Sequence, residues 1–403
     1  MSDLYDLPNG WKWEKLGDIT ELITKGTTPT TNGYKFQNSG INFLKIENIV
    51  KGEIDLSTIE MYISEEAHQS QKRSQLKEND VLFSIAGTIG DTAIVKKEHL
   101  PMNTNQAIAL IRPKDILSSF FLRYSLTSII SQNTKDKQRG GAIKNISLGD
   151  IKELMYPLPP LSEQQRIVSK LDNLFEKIDK SIALHQKNMD EADVFMGSIL
   201  NNLFRELEEK YEVQLLGNLT KTTSGGTPKR NEKSYWGGNI GWLKSGELND
   251  GYITEVEEFI TEDGLNKSSA KLFPIGTLLI AMYGATVGRL GILEIETTTN
   301  QAVCGILNDK NQFETLYMFY FLKKIREKML KDSFGGAQPN ISQTYIKELE
   351  VPLPPLNIQQ KVVKYLDEVS EKIEKVKSIQ KVKMDSLKAL KASILDKAFR
   401  GEL

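Results

Sequence analysis

A chain that repeats itself must fold each copy in much the same way, so internal duplication constrains this sequence more than any other feature. PLPPL stands at 157–161 and returns at 352–356, 195 residues later. At the same offset QQRIV (164–168) matches QQKVV (359–363), GGAIKNIS (140–147) matches GGAQPNIS (335–342), and NQA recurs at 105–107 and 300–302. SILNNLFREL (198–207) parallels SILDKAFRGEL (393–403). Upstream the offset drifts, as loop insertions would cause. KLGDIT (15–20) pairs with LLGNLT (215–220), GTTP (26–29) with GGTP (225–228), INFLK (41–45) with IGWLK (240–244), and AGTIG (86–90) with GATVG (284–288). Chance does not supply so many matches in one order.

Each half has two parts. The first carries short β-rich runs such as VLFSI (81–85) and LLIAM (278–282) between Gly, Thr and Asn turn signals. Helical patches at 118–131 and 313–331 make it an α/β module. The second part opens after PLPPL, where the prolines end the preceding element and SEQQ (162–165) offers a capping start with Gln165 three residues on. Apolar residues then keep 3/4 spacing from Ile167 to Leu203, with Phe195 or Met196 on the seam, and from Val362 through Val376 and Leu390 to Ile394. So long a seam with charged flanks argues for coiled-coil packing, and ~40 residues span roughly 60 Å. A stripe of that length has to be buried. The economical partner is the equivalent helix of the other half, running antiparallel; the alternative is that each helix packs on its own module. The expected fold is α+β, two α/β modules separated by two long helices forming an antiparallel coiled coil, with internal two-fold pseudosymmetry. The boundaries fall at 1–158, 159–209, 210–353 and 354–403, and the matching ends of the halves suggest circular pseudosymmetry.

Apolar residues make up 39% of the chain, enough for real cores, and a mean hydropathy of -0.35 marks a soluble protein. The formal charge of -1 means that nucleic acid would have to be met by local surfaces rather than a global positive field. Cys304, the single cysteine, excludes a disulfide framework and a cysteine zinc cluster. A cytoplasmic location follows, because the N-terminus lacks the basic start and apolar core of a secretion signal. The most apolar stretch, 272–288, is too short and glycine-rich for a membrane span.

No catalytic constellation is visible. There is no GxxxxGK[ST] loop, no [DN]PP[YF] tetrapeptide, no G-x-G-x-x-G after a strand and no Pro-Asp dipeptide to begin a typical PD…ExK nuclease site. His68, His99 and His185 have no matched counterparts, which reads as surface or seam, and Cys304 sits in an apolar run, which reads as core. A duplicated enzyme should show a duplicated set of reactive groups, so the chain reads as a binding protein.

The loops shared by both halves are rich in Gly, Thr, Asn, Gln and Lys, groups suited to phosphate and base-edge contacts. The expected DNA-contact residues of the first half are Thr27, Thr28, Lys45, Asn48, Thr88, Asn105, Arg139 and Lys144. Those of the second are Thr227, Lys229, Arg230, Lys244, Ser245, Tyr283, Thr286, Arg289, Asn300, Gln338 and Asn340. The plainer alternative is that the glycines serve turn geometry and Asn105 and Asn300 are structural caps. Two related but unlike readers on a spacer would suit a target with two unlike halves, and modules one duplex turn apart, ~34 Å, would meet one face of DNA.

The PLPPLSEQQRIVSKLDNLFEKID and PLPPLNIQQKVVKYLDEVSEKIE blocks, the GGAxxxIS approach to each and the SILDKAFRGEL terminus resemble the specificity subunits of type I restriction–modification systems. That resemblance covers nearly the whole chain. It implies two target-recognition domains, each reading one half of an asymmetric gapped sequence in double-stranded DNA, and two helical regions that act as the spacing ruler. It also implies docking of two methyltransferase subunits that use S-adenosylmethionine to methylate adenine, joined for cleavage by restriction subunits that use ATP and Mg2+. On this reading the chain binds no cofactor and carries no catalytic residue. The rival readings are a nuclease or methyltransferase with an unrecognised site, and a coiled-coil scaffold without nucleic acid.

Overall fold

A computed structural model describes residues 5–87, 89–127, 146–334 and 339–403. The chain forms two compact units, one of residues 1–185 with 382–403 and the other of 186–381.

In the first unit, strand β1 (Lys12–Lys15) pairs antiparallel with β9 (Met155–Leu158). A four-stranded antiparallel sheet runs in the order β2 (Thr20–Lys25), β8 (Ile108–Pro113), β5 (Val81–Ser84), β6 (Thr92–Ile94). Beside it β3 (Ile41–Leu44) lies between β4 (Tyr62–Ile63) and β7 (Met102–Thr104), parallel to the latter. All four residues of β5 are buried because alternate side chains enter different cores. Val81 and Phe83 face a cluster with Phe121 and Tyr156, whereas Leu82 joins Leu44, Met102 and Leu110.

The second unit repeats this plan. Strand β10 (Val213–Leu215) pairs with β20 (Glu350–Pro352). The large sheet has the order β11 (Lys221–Ser224), β19 (Val303–Leu307), β16 (Leu278–Ala281), β17 (Leu290–Leu293), β13 (Gly251–Ile253), the last being an added parallel edge. The second sheet runs β14 (Glu258–Ile260), β12 (Trp236–Leu243), β18 (Thr297–Thr299), β15 (Leu272–Phe273). Leu278 and Ile280 enter one core and Leu279 and Ala281 the other, as in β5. Cys304 is fully buried in β19, and burial pushes its thiol up to about 12.

Helix α1 spans Leu161–Lys210 and α3 spans Leu356–Arg400, and the shorter α2 covers Thr315–Lys324. Helix α1 starts one residue before Ser162, so that serine lies in the first turn and is not the cap expected of it. The fixing residue is Gln164 rather than Gln165. Its buried Nε2 donates to the carbonyls of Pro159 and Ile116, both at 2.9 Å, and its Oε1 accepts the Ser118 N–H at 2.8 Å. Gln359 repeats the device, donating to the Pro354 carbonyl at 2.8 Å and accepting the Glu314 N–H at 2.9 Å. One amide thus ties each long helix to the turn before it and to the segment leading into the module's own helix.

Each unit contains half of each long helix, and the halves run antiparallel. In the first, Arg166 donates to the Leu403 carbonyl at 2.8 Å while Lys391 meets Asp179 at 2.8 Å. Ile167, Leu171, Phe175 and Ile178 are buried with Leu395, Ala398 and Phe399, and also with Phe121 of the module's helix (residues 119–127). In the second unit Met196, Leu200, Phe204 and Leu207 share a core with Val362, Leu366, Ile373 and α2, and Lys377 meets Asp193 at 2.8 Å. Helix pairing and packing on a module, posed as alternatives from sequence, therefore coexist. Met196 takes the seam and leaves Phe195 59% exposed. Val376 and Leu390, expected in the seam, are exposed at nearly half their surface and join neither unit's core.

The two ends of the first unit meet where Tyr5 Oη donates to the Phe399 carbonyl at 2.7 Å. His68 and His99 are buried rather than superficial, and His99 Nδ1 accepts the Lys96 N–H at 3.0 Å. Among the described residues no helix is long and apolar enough to cross a membrane.

Candidate nucleic-acid interface

Strand register decides which loops meet. In the second unit Ser224 pairs with Cys304, Ala281 with Val303, and Ile280 with Leu290. The loops 225–228, 282–289 and 300–302 therefore leave the same end of the large sheet. The second sheet delivers Lys244 there too, because Leu243 pairs with Thr299 and its carbonyl accepts the Asn300 N–H at 2.9 Å. The first unit repeats the arrangement. Lys25 pairs with Ala109, Ser84 with Ile108, and Leu44 with Thr104, bringing 26–29, 85–90, 105–107 and Lys45 together. The matched loops far apart in sequence thus form one surface per module.

The glycines permit that convergence. A Cβ on Gly26 would fall 1.9 Å from the Thr104 carbonyl oxygen, and one on Gly225 2.1 Å from Thr299 Oγ1. Thr28 hydrogen-bonds Gln106, and Thr227 hydrogen-bonds Gln301. Asn105 Oδ1 accepts the Ala107 N–H and Asn300 Oδ1 the Ala302 N–H, each at 3.1 Å. Through Oδ1 both asparagines shape their turns. Asn48 goes further: it is 4% exposed, its Oδ1 accepts the Lys45 N–H at 2.8 Å and its Nδ2 donates to Thr58. Its amide is consumed inside the module. Its counterpart Glu247 accepts the Lys244 N–H at 2.8 Å, so the turn after each lysine is closed by a side chain.

The basic groups of the second unit are laced with acid. Arg230 lies over Trp236 at 3.9 Å and Trp242 at 4.5 Å and pairs with Glu258. Lys244 Nζ reaches Glu257 at 2.9 Å and Glu258 at 3.1 Å. The arginine hydrogen bond holds the Glu258 carboxyl below the usual carboxylate range, and Glu257 and Glu258 raise Lys244. Lys45 has one such neighbour, Glu47 at 3.3 Å. Lys229 and Arg289 are exposed, Thr27 and Ser245 half-buried, and the Thr286 hydroxyl donates to the Tyr283 carbonyl at 3.0 Å. Tyr283 is exposed and bridges Asn340. Thr88, Arg139, Lys144 and Gln338 lie outside the described residues.

Sequence reasoning passed over Gln106, Gln301, Trp236, Glu258 and the pair Asp250–Arg326. The repeated NQA was a visible signal for the glutamines, whereas nothing local marked the others. Arg326 donates through Nε to the Gly288 carbonyl at 2.8 Å and pairs with Asp250, anchoring the 284–288 loop. Burial pushes the Asp250 carboxyl up, but Arg326 and the Leu290 N–H outweigh it and hold it below its ordinary value. That contribution is present above about pH 4 and is lost as pH falls through the folded value. Asp250→Asn should therefore flatten the acid limb of second-unit unfolding, followed by fluorescence from pH 7 to 3; an unchanged limb would deny the pair its role.

The type I restriction modification DNA specificity domain family matches residues 8–188 and again 208–384. The putative type I restriction enzyme MjaX specificity subunit of Methanocaldococcus jannaschii is 27% identical over 394 residues, 93% of this chain and 90% of that protein. The type I restriction enzyme EcoKI specificity subunit of Escherichia coli K12 is 25% identical over 448 residues, covering 98% and 90%. In fold, the chain resembles one solved in a study of complex assembly and conformational transition of the type I R-M system, with a TM-score of 0.77 at 24% identity across 99% of this chain and 100% of that one. It also resembles the HsdS subunit of Thermoanaerobacter tengcongensis, with a TM-score of 0.54 at 23% identity and 99% coverage of both.

Proposed function

This chain belongs to the type I restriction modification DNA specificity family, and from that membership we propose how its parts divide the work. It is a specificity subunit: it recognises DNA, and the reactions belong to other subunits. Residues 1–158 and 210–353 read one half-site each, while 159–209 and 354–403 fix the gap between half-sites and dock two methyltransferase subunits. S-adenosylmethionine, and the ATP and Mg2+ of added restriction subunits, are used by those partners in the cytoplasm. The observation that carries this division is the convergence of the repeated loops at one end of each module's sheets.

Within those surfaces Thr27, Thr28, Lys45, Asn105, Thr227, Lys229, Arg230, Lys244, Ser245, Tyr283, Thr286, Arg289, Asn300 and Asn340 meet the duplex. Thr88, Arg139, Lys144 and Gln338 complete the set, and Asn48 supports Lys45 from within. Among the described residues no three His, Cys, Asp or Glu side chains are grouped to hold a metal.

The test is adenine methylation of host genomic DNA by the chain co-assembled with a methyltransferase subunit, mapped by single-molecule sequencing. A bipartite gapped site, methylated only by the assembled complex, is expected. Methylation or cleavage by the isolated chain would overturn the assignment.

Glu258 restrains this surface, since it pairs with Arg230, which phosphate would otherwise engage, and shares Lys244 with Glu257. Glu258→Gln should tighten binding to random duplex several-fold and steepen the dependence of log K on log salt by about 1, since Arg230 is freed while Lys244 keeps Glu257. Fluorescence anisotropy between 50 and 200 mM salt measures both, and an unchanged slope would mean that Arg230 makes no phosphate contact.

A further inference from the structure

One edge of the second module carries two aromatic residues where the repeated sequence has an alanine and an arginine. Tyr283 and Phe334 are 43% and 63% exposed, large apolar rings left in water. Both are bridged to Asn340. Phe334 and Asn340 exchange backbone hydrogen bonds of 3.0 and 2.8 Å, and Gly284 N–H donates to the Pro339 carbonyl at 2.8 Å on the other side. Residues directly opposite across antiparallel backbone stand on the same face. The result is a row of ring, amide and ring, and it continues the loop cluster that carries Arg289 and Asn300.

The first module keeps the middle of this row and changes its flanks. Strand pairing makes Ser84 the equivalent of Ala281, one place off the sequence match of AGTIG with GATVG, so Gly87 corresponds to Gly284, with left-handed φ of 73° and 69°. That puts Ala86 opposite Tyr283 in the repeat. The GG pairs at 140–141 and 335–336 put Arg139 opposite Phe334, and Asn145 opposite Asn340. Because the row adjoins the loops that carry Arg289 and Asn300, the surface belongs to the side read as duplex-facing. In the second module its flanks offer DNA two aromatic rings and no charge.

We infer that Phe334, with Tyr283 beside it, inserts against a base step of the second half-site while Asn340 hydrogen-bonds the adjoining base edge. Apolar side chains wedge between base steps, and aromatic rings stack on exposed bases irrespective of salt. An asparagine amide matches the donor and acceptor of an adenine edge. This inference rests on the reading of 210–353 as a duplex reader and specifies how that module grips its half-site.

The experiment uses the full chain assembled with its methyltransferase subunits and a duplex carrying the methylated site mapped in the host genome. 2-Aminopurine is placed singly along the second half-site. The wild type should raise its fluorescence at one step, and Phe334→Ala should abolish that rise and weaken cognate binding about 10-fold, with an unchanged salt slope. Tyr283→Ala should act in the same direction. The unfolding temperature of each variant identifies any loss caused by misfolding, and Phe334→Trp, which keeps a stacking ring, should retain the signal. Binding equal to wild type would overturn the inference, as would a salt slope lower by about one, which marks a phosphate contact. Weaker assembly with the methyltransferase subunit at unchanged DNA affinity would also overturn it, assigning the rings to a protein partner. If the wild-type complex prefers no sequence, the reading of the module fails; if it discriminates and Phe334→Ala matches it, only this inference fails.

Discussion

Truncating Phe204 to alanine should lower the stability of the second unit by about 3–5 kcal/mol, the usual loss for a large buried aromatic. Phe204 is fully buried, with its ring 5.4 Å from Tyr317 and 5.6 Å from Phe321. It sits at the C-terminal end of α1, so the cavity would open where a long helix is keyed into a module. Phe399 is its repeat partner, 3% exposed and 5.1 Å from Phe121 in the first unit. Phe399→Ala should produce a loss of similar size there. Hydrogen exchange by mass spectrometry at graded denaturant separates the two. Phe204→Ala should accelerate exchange across 210–381 and spare 12–113, and Phe399→Ala should do the reverse. Equal acceleration of both segments by either variant would mean that the units unfold as one.

The second large effect concerns the gap. Inserting seven residues near Met189 and another seven near Met384 should move methylation from the native site to one whose gap is longer by about three base pairs. Seven residues keep the apolar seam in phase and add two turns, about 10 Å at 1.5 Å per residue, against 3.4 Å for each base-pair step. The half-sites should stay as they were, because no residue of the loop surfaces is touched. Altered half-sites with an unaltered gap, seen in mapped methylation, would refute the division between reading and spacing.

Much of the fold was legible because the signals were local and appeared twice. PLPPL followed by 3/4 apolar spacing gives a helix start and a helix in any context, and α1 and α3 follow from it. The working role of Gln164 was not legible. Its partners Ile116 and Ser118 lie more than forty residues away, and the neighbouring Gln165 looks the same in sequence. For the site, glycine and threonine marked the loops, but only pairing such as Ser224 with Cys304 and Leu243 with Thr299 brings them to one end of the sheets. Composition could not tell Lys45, with one acidic neighbour, from Lys244, with two. Nor could it show that Asn48 is spent inside the module.

By itself the sequence determined that there are two related modules, each followed by a long helix, because periodicity and repeated turn chemistry depend on residues close together in the chain. The tertiary structure alone decided how the helices are shared. Each compact unit takes the first part of one long helix and the second part of the other, and closes its core with both. It also decided which side chains on the loop surface remain available. Both outcomes come from contacts between residues far apart in the chain, such as Lys391 with Asp179, which are 212 positions apart. Burial of apolar surface favours any partner of the right shape, so no local pattern encodes which one is chosen.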